Sequence, residues 1–454
     1  MRIADESARA ELSFTQQAMW PSTARPDTAT RTNVAVPFLI EGPVDAGVLR
    51  RSIATVVLRH DILRTNFVVH DGQPRALVHP AIEIELPFDD LRDEPDPAAA
   101  ADGILVGDTA LAFDLATEPL IRFRLLQIGD DEFRLHRVNH HLIADTWSWR
   151  VFLEQLADAY DAELGQAPGR ESPPPALQFA DYAAWERDTF ATDSVHVANE
   201  VDWWADRLAG WSANHVTLPF GPPADADGAG GHDGVLHWGL SPASAQRLDA
   251  LAGQTRATFF VSRLAVFGAL LGLATGATEL PISTNVTTRR RTELQSMIGP
   301  LMNRVILPLE FTPALTFREW LAVVRTTATE ASEHAAVPRQ RLRIELKKRG
   351  VVLPDVGTLF QVRYPLPVLE FGGVRARALA RRCVNPAGFE LGATRRDESS
   401  QCWAAFDARR YDPPAVKSFL GDLESLADLA GRAPDRALAE IWPGPDLKPA
   451  TRRR

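Results

Sequence analysis

Cysteine is almost absent from this sequence of 454 residues, which contains only Cys383 and Cys402. Two cysteines cannot make a disulfide scaffold, and their spacing lacks the pairs of a zinc site. The amino-terminal residues MRIADESARAELSF contain early acidic side chains and no apolar stretch, so we expect neither a signal peptide nor a membrane anchor. These features predict a protein of a reducing compartment, the cytoplasm.

An excess of positive charge is also missing. The chain has 49 Lys and Arg against 59 Asp and Glu, a net charge of −10. This charge opposes attraction to nucleic-acid phosphates or to an anionic membrane surface, so we expect neither as a partner. Long hydrophobic runs are lacking too. The most apolar window, 258–276, is interrupted by Arg263 and is too short to span a bilayer comfortably, so it predicts a buried core helix.

Several catalytic signatures do not occur. The sequence has no GxSxG elbow, no GxxxxGK[ST] loop and no GxGxxG motif, which disfavours a serine hydrolase, a nucleotide hydrolase and a dehydrogenase. It has no HExxH or CxxC motif either, so we expect no metal site.

The length and the 45% hydrophobic content predict two compact units. A glycine- and proline-rich stretch, GQAPGRESPPPA at 165–176, places the boundary between an amino-terminal lobe of residues 1–175 and a carboxy-terminal lobe of residues 176–454. Asp45 is positioned to cap a helix, alternating residues in 121–125 and 133–138 predict a hairpin, and helical spacing follows Asp145. Strands and helices mix throughout, which predicts an α+β fold.

The segment HHLIADTWS, residues 140–148, is the strongest chemical signal. It places His140, His141 and Asp145 at a strand-to-helix turn, where side chains can project into a cleft. Histidine suits general base catalysis because its ordinary pKa of about 6.5 lets it accept and return a proton near neutrality. The alternative for a single histidine is a hydrogen-bonded residue of the core.

The same segment resembles the HHxxxDG motif of condensation domains of nonribosomal peptide synthesis. Further segments resemble motifs of that family in the family's order, from about Leu12 to Tyr364. They are LSFTQQAMW, RHDILRTNF, FADYAAWERD, RRRTELQSMIGPLMNRVILPL, HAAVPRQRL and FQVRY.

This resemblance implies a fold of two chloramphenicol acetyltransferase-like lobes, which form a V-shaped pseudodimer with a central tunnel. It implies that His141 is catalytic, that His140 supports the turn, and that Asp145 is structural. The carboxylate of Asp145 would pair with an arginine across the lobes, for which Arg289 is the best match. The neighbouring Arg290 and Arg291 are competing matches, and a solvated basic turn is the alternative.

Four more residues are candidates for a substrate pocket: Thr146, Trp147, Ser148 and Asn303. Thr146 stands where the family motif has glycine, so its side chain would narrow the tunnel or alter an amide-lined pocket. Asn303, in GPLMN, matches a family asparagine near the cleft. A buried amide that satisfies backbone groups would explain it equally well.

The implied reaction joins an acyl thioester, carried on the phosphopantetheine arm of a peptidyl carrier protein, to an amine or alcohol. The product is an amide or ester of natural-product biosynthesis, and the acceptor is either a small molecule or carrier-bound. We expect no bound cofactor and a free-standing enzyme. Two alternatives are a coenzyme A-dependent acyltransferase of the same superfamily and a non-catalytic recruitment module.

Overall fold

The computed structural model describes residues 9–23, 29–165, 175–191, 195–211, 216–222, 233–354, 356–379, 382–383, 388–396 and 399–442. Most of the predicted boundary stretch lies outside these residues, as does the tail TRRR. The α-helices are α1 (Phe14–Thr23), α2 (Ala46–Arg59), α3 (Pro97–Ala110), α4 (Thr146–Glu163), α5 (Phe179–Thr189), α6 (Val195–Arg207), α7 (Pro242–Thr255), α8 (Phe259–Thr275), α9 (Phe317–Glu333), α10 (Arg339–Lys348), α11 (Pro413–Arg432) and α12 (Leu438–Ile441). The strands are β1 (Arg9–Glu11), β2 (Asn33–Glu41), β3 (Thr65–His70), β4 (Gln73–Val78), β5 (Phe88–Asp90), β6 (Ile121–Gly129), β7 (Glu132–His140), β8 (Asp233–Leu240), β9 (Glu279–Thr287), β10 (Met302–Glu310), β11 (Thr358–Arg363), β12 (Leu369–Phe371), β13 (Val374–Ala378), β14 (Arg382–Cys383), β15 (Phe389–Arg396) and β16 (Ser399–Asp407).

The chain forms two compact units. The first comprises Met1–Thr192, Thr287–Met302 and Leu366–Val384, and the second comprises Asp193–Val286, Asn303–Pro365 and Asn385–Arg454. The first unit is therefore not the continuous segment 1–175 that the proline-rich stretch predicted. Strand β13 pairs antiparallel with β2, and this pairing supplies hydrogen-bond partners for backbone groups that β2 would otherwise expose. Glycine and proline signals in the sequence could not reveal this return of the later chain.

In the first unit, a seven-stranded sheet follows the order β12-β13-β2-β7-β6-β5, with β14 also paired to β2. A smaller sheet has the order β1-β4-β3. The predicted hairpin is confirmed as β6 and β7, which pair antiparallel. Helix α2 begins as predicted, because the carboxylate of Asp45 accepts a hydrogen bond from the Val48 amide and stabilises the helix start. The apolar sides of α2 and α4 contribute to the core of this unit.

The second unit contains a six-stranded sheet with the order β10-β9-β11-β15-β16-β8. Helix α8 confirms the predicted buried core helix: Thr258 caps its start, and Gly276 ends it at a φ of 69°. Its charged residue Arg263 is buried and pairs with Asp249, so the helix carries an arginine without leaving its charge unmatched. Both units mix strands and helices, which confirms the predicted α+β class.

No single helix within the described ranges is long and apolar enough to cross a membrane. Helices α7 and α8 are long and apolar enough only when taken together, and the chain bends by 111° between them.

Candidate active site

A turn between a strand and a helix places the two adjacent histidines. Strand β7 ends at His140 and helix α4 begins at Thr146, so His141 lies in the turn between them. Main-chain hydrogen bonds fix this turn: the His141 amide donates to the carbonyl of Thr32 at 2.8 Å, and the Ile143 amide donates to the carbonyl of His140 at 3.2 Å. These hydrogen bonds stabilise the backbone conformation of the turn.

The imidazole of His141 is oriented by the main chain. Its Nδ1 lies 2.9 Å from the carbonyl oxygen of Ala144. A carbonyl oxygen only accepts hydrogen bonds, so Nδ1 carries a proton, and in the neutral imidazole Nε2 carries the lone pair. The side chain is partly exposed. The residue is thus held in the tautomer that a general base needs.

His140 has the opposite character. Its Nδ1 accepts from the Leu142 amide at 3.1 Å, and its Nε2 lies 2.6 Å from the hydroxyl of Thr32. The residue is 1% exposed. Burial, followed by the charge of neighbouring His141, lowers the pKa of His140 to about 3. A histidine that is neutral near pH 7 and hydrogen-bonded within the turn is consistent with the predicted supporting role.

The ion pair predicted from the resemblance is present. Asp145 Oδ2 lies 2.5 Å from Arg289 Nη1, and Asp145 Oδ1 lies 3.1 Å from Arg289 Nη2. The arginine side chain is 2% exposed, whereas Arg290 and Arg291 are exposed, so the register is settled in favour of Arg289. One detail of the expectation is corrected, because both partners belong to the first compact unit rather than to two lobes. The segment that contains Arg289 returns to this unit.

Asp145 does more than pair with a cation. As the N-cap of α4, it accepts from the Ser148 amide at 2.8 Å and from the Ser148 hydroxyl at 2.7 Å. It also accepts from the Leu301 amide at 3.1 Å. Five donors therefore converge on one carboxylate that is 7% exposed. This leaves Asp145 engaged in structure rather than directed at a substrate.

The four candidates for a substrate pocket differ in their exposure and in their contacts. Thr146 and Trp147 are exposed at the first turn of α4, and the Trp147 indole donates to the carbonyl of Gln295 at 2.8 Å. Ser148 is fully buried and its hydroxyl belongs to the cap of α4, which gives this side chain a structural role, and its place in a substrate pocket stays a prediction.

The pocket role of Asn303 stays a prediction, and the contacts of its side chain fit the alternative explanation. Its Nδ2 donates to the carbonyls of Ala335 and Val337, and its Oδ1 accepts from the Arg339 amide. These three bonds occupy the amide with backbone groups, as the alternative explanation required. Asn303 and these partners lie in the second unit, whereas the histidine turn lies in the first.

Sequence reasoning missed two residues that contact the turn. Thr32 receives hydrogen bonds from both histidines, and Gln16 donates from Nε2 to the carbonyl of Leu142 at 2.9 Å. The Ser-x-x-Gln pattern at Ser13 and Gln16 was a visible helix-capping signal, but nothing in it indicated the second contact of the glutamine. Among the residues with described positions, no group of three or more His, Cys, Asp or Glu side chains could hold a metal ion.

Solved structures identify the fold as the chloramphenicol acetyltransferase-like class of condensation domains. The starter condensation domain of rhizomide synthetase RzmA, solved as a mutant in complex with C8-CoA, matches with a TM-score of 0.82 and 19% identity over 95% of this chain and 97% of that chain. The X-domain from teicoplanin biosynthesis, solved in complex with OxyB, matches with a TM-score of 0.78 and 25% identity over 100% of this chain and 98% of that chain.

The family model of the Condensation domain matches residues 6–365, and the chain belongs to this family. Among curated relatives, a linear gramicidin synthase protein of Brevibacillus parabrevis is 34% identical over 360 residues. That match covers 78% of this chain but spans only 4% of the relative's length.

Proposed function

We propose that this chain catalyses transfer of an acyl group from a carrier-protein thioester to an amine or alcohol, with His141 as the general base. The observation that carries the proposal is the bond from His141 Nδ1 to the Ala144 carbonyl, since it makes Nε2 the basic nitrogen of the neutral imidazole. Family membership supports the same chemistry, because the HHLIAD segment lies within the matched range.

In the proposed reaction, the acceptor nitrogen or oxygen attacks the thioester carbonyl carbon while Nε2 of His141 removes the acceptor's proton. The carbon–sulfur bond then breaks, and the proton passes from the imidazole to the departing phosphopantetheine thiolate. The products are an amide or ester and a free thiol, and His141 returns to its neutral form. Such proton transfer by a positioned group typically contributes about 10²–10⁴-fold in rate.

The other residues of the turn hold this base in place. His140 stays neutral near pH 7 because burial lowers its pKa to about 3, so it adds no positive charge beside His141. Asp145 is occupied by Arg289 and the start of α4. The partner of His141 at Nδ1 is the neutral carbonyl of Ala144, whereas the histidine of a Ser-His-Asp triad has a carboxylate at that nitrogen.

Coenzyme A is the alternative donor, and one observation favours considering it. The rhizomide synthetase domain of the same fold was solved with C8-CoA, whose thiol arm is also phosphopantetheine. The proposed chemistry at His141 is the same for both donors, so only the recognition of the carrier differs.

A recruitment module is the second alternative. The X-domain of teicoplanin biosynthesis forms a complex with OxyB, and this chain carries Thr146 in place of the motif glycine. The intact His141 and the fully bonded Asp145 favour catalysis, since a module that only binds a partner has no need of a basic nitrogen at this turn.

The test compares one acyl group on a carrier protein and on coenzyme A, each offered with a series of free amines and alcohols. We expect product from the carrier-bound donor with a kcat/KM at least about tenfold higher than from coenzyme A. An equal kcat/KM for the two donors would contradict the proposed preference for the carrier protein and favour the alternative of a coenzyme A-dependent acyltransferase. A folded chain that turns over neither donor, yet retains a biosynthetic enzyme in a pull-down, would establish recruitment instead.

A further inference from the structure

The amino-terminal helix reaches the histidine turn through one side chain. Helix α1 begins with a reciprocal capping pair: Gln16 Oε1 accepts from the Ser13 amide at 3.0 Å, and the Ser13 hydroxyl accepts from the Gln16 amide at 3.2 Å. A cap of this kind requires only the oxygen of the glutamine. The Nε2 donor of Gln16 is therefore available for a second contact, which it makes with the Leu142 carbonyl.

Leu142 directly follows His141, and both of its backbone polar groups bind side chains, one from the same turn and one from the distant helix α1. Its amide donates to His140 Nδ1 at 3.1 Å, and its carbonyl accepts from Gln16 Nε2 at 2.9 Å. The Leu142 side chain is completely buried, and Gln16 is 1% exposed. These contacts fix the peptide planes that follow His141, and with them the direction of its imidazole.

We propose that Gln16 is a positioning residue for His141, acting through the Leu142 carbonyl. This inference rests on the proposed role of His141 as a base. It requires that the Nε2 donor, and not the capping oxygen, be the part of Gln16 that sets the rate. A displacement of a reacting group by about 1 Å can cost on the order of 10²-fold in rate, so one main-chain contact beside the base can have a large effect.

The substitution Gln16→Glu separates the two roles. Glutamate keeps the acceptor that caps α1 and is itself a preferred residue at this capping position. It replaces the donor facing the Leu142 carbonyl with a carboxylate oxygen, which repels that carbonyl. Burial favours the neutral carboxylic acid, whose hydroxyl can again donate. The loss should therefore grow as pH rises and the acid ionises.

Gln178 offers a matched control in the same compact unit. Its Nε2 donates to the Arg59 carbonyl at 3.0 Å, and its Oε1 accepts from the Asp61 amide at 3.0 Å. Gln178→Glu therefore makes the same chemical change at a glutamine that also bridges backbone groups, but these groups are not part of the histidine turn. A general effect of placing a carboxylate there would lower activity in both variants.

The experiment measures kcat and KM for both variants and the wild type from about pH 6 to 9, with an acyl-carrier donor and a saturating amine. We expect Gln16→Glu to lose about 10–100-fold in kcat near pH 8 with KM changed less than about threefold, and to approach wild-type kcat at the lowest pH. Gln178→Glu should stay within about threefold of wild type. Equal kcat losses in the two variants, or a Gln16→Glu ratio to wild type that does not change with pH, would overturn the inference.

A second readout is independent of turnover. The imidazole Cε1–H resonance of His141, assigned by its absence in His141→Ala, should shift in Gln16→Glu and stay in place in Gln178→Glu. If Gln16→Glu does not fold, Gln16→Met, which removes both the donor and the capping oxygen without adding charge, is measured beside Ser13→Ala, which weakens only the cap of α1. A wild type that is inactive on all thioesters refutes the proposed function, whereas an unmoved His141 resonance refutes only the positioning role.

Discussion

Replacement of Asp145 by alanine should lower the free energy of unfolding more than almost any other single substitution at the site. The carboxylate lies 7% exposed and accepts hydrogen bonds from Arg289, from Ser148 and from the Leu301 amide. Its removal leaves the Arg289 guanidinium, 2% exposed, without its countercharge. Breaking one side of a buried ion pair costs about 3–5 kcal/mol.

The exposed pair Arg150–Glu154 lies on the same helix and provides the comparison. Its side chains are 54% and 47% exposed, and its nitrogen and oxygen are 2.8 Å apart. Solvent screens such a pair, so Glu154→Ala should cost less than about 1 kcal/mol. The contrast between the two variants measures how much more the buried, helix-capping carboxylate of Asp145 contributes to stability than an exposed ion pair does.

Urea unfolding followed by far-ultraviolet circular dichroism measures both costs. The double variant Asp145→Ala with Arg289→Met should lose at least about 1 kcal/mol less free energy of unfolding than the sum of the two single losses, because the methionine removes the unpaired charge. Contacting residues usually show a coupling of about 0.5–3 kcal/mol. A cost for Asp145→Ala that equals the cost for Glu154→Ala, or strict additivity in the double variant, would refute this reasoning.

Three further predictions concern the same unit. Burial lowers the pKa of His60 to about 4 and that of His140 to about 3, so below about pH 6.5 the unfolded chain binds protons that the folded chain does not. The free energy of unfolding, measured with urea, should therefore be full above about pH 6.5 and lower by on the order of 2 kcal/mol per histidine at pH 5. A free energy of unfolding that does not change with pH would contradict this. Gly299→Ala should destabilise by more than about 1 kcal/mol, because Gly299 has a φ of 151° and an added Cβ would lie 2.0 Å from the Phe179 ring; an unchanged urea midpoint would count against it. Thr146→Gly should admit larger acceptors and raise the KM of the native acceptor while leaving the donor KM nearly unchanged, and identical acceptor profiles would show that Thr146 is neutral.

Local sequence signals predicted the elements around the histidine turn correctly. The alternation in β6 and β7, the capping position of Asp145 and the helical spacing of α4 all depend on neighbours within a few residues, and the structure has each of them. The resemblance to a family added the one long-range contact that was predicted, between Asp145 and Arg289, which are 144 residues apart in sequence.

Contacts made by returning segments were beyond the reach of local patterns. The pairing of β13 with β2, and with it the composition of the first unit, depends on which strand edge is available in three dimensions. The structural contacts of Ser148 and Asn303 could not be predicted for a related reason. A polar side chain in a motif has the same letter whether it faces a ligand or satisfies buried backbone groups, and only its partners distinguish the two.

The most direct measurement of the central claim is single-turnover product formation by His141→Ala with an acyl-carrier donor and an amine acceptor. His70, a half-exposed histidine on β3, supplies the control substitution His70→Ala. With both variants folded, as judged by their circular dichroism and urea midpoints, we predict a loss of at least about 10²-fold for His141→Ala and a wild-type rate for His70→Ala. Formation of product by folded His141→Ala at the wild-type rate would contradict the role of His141 as the base.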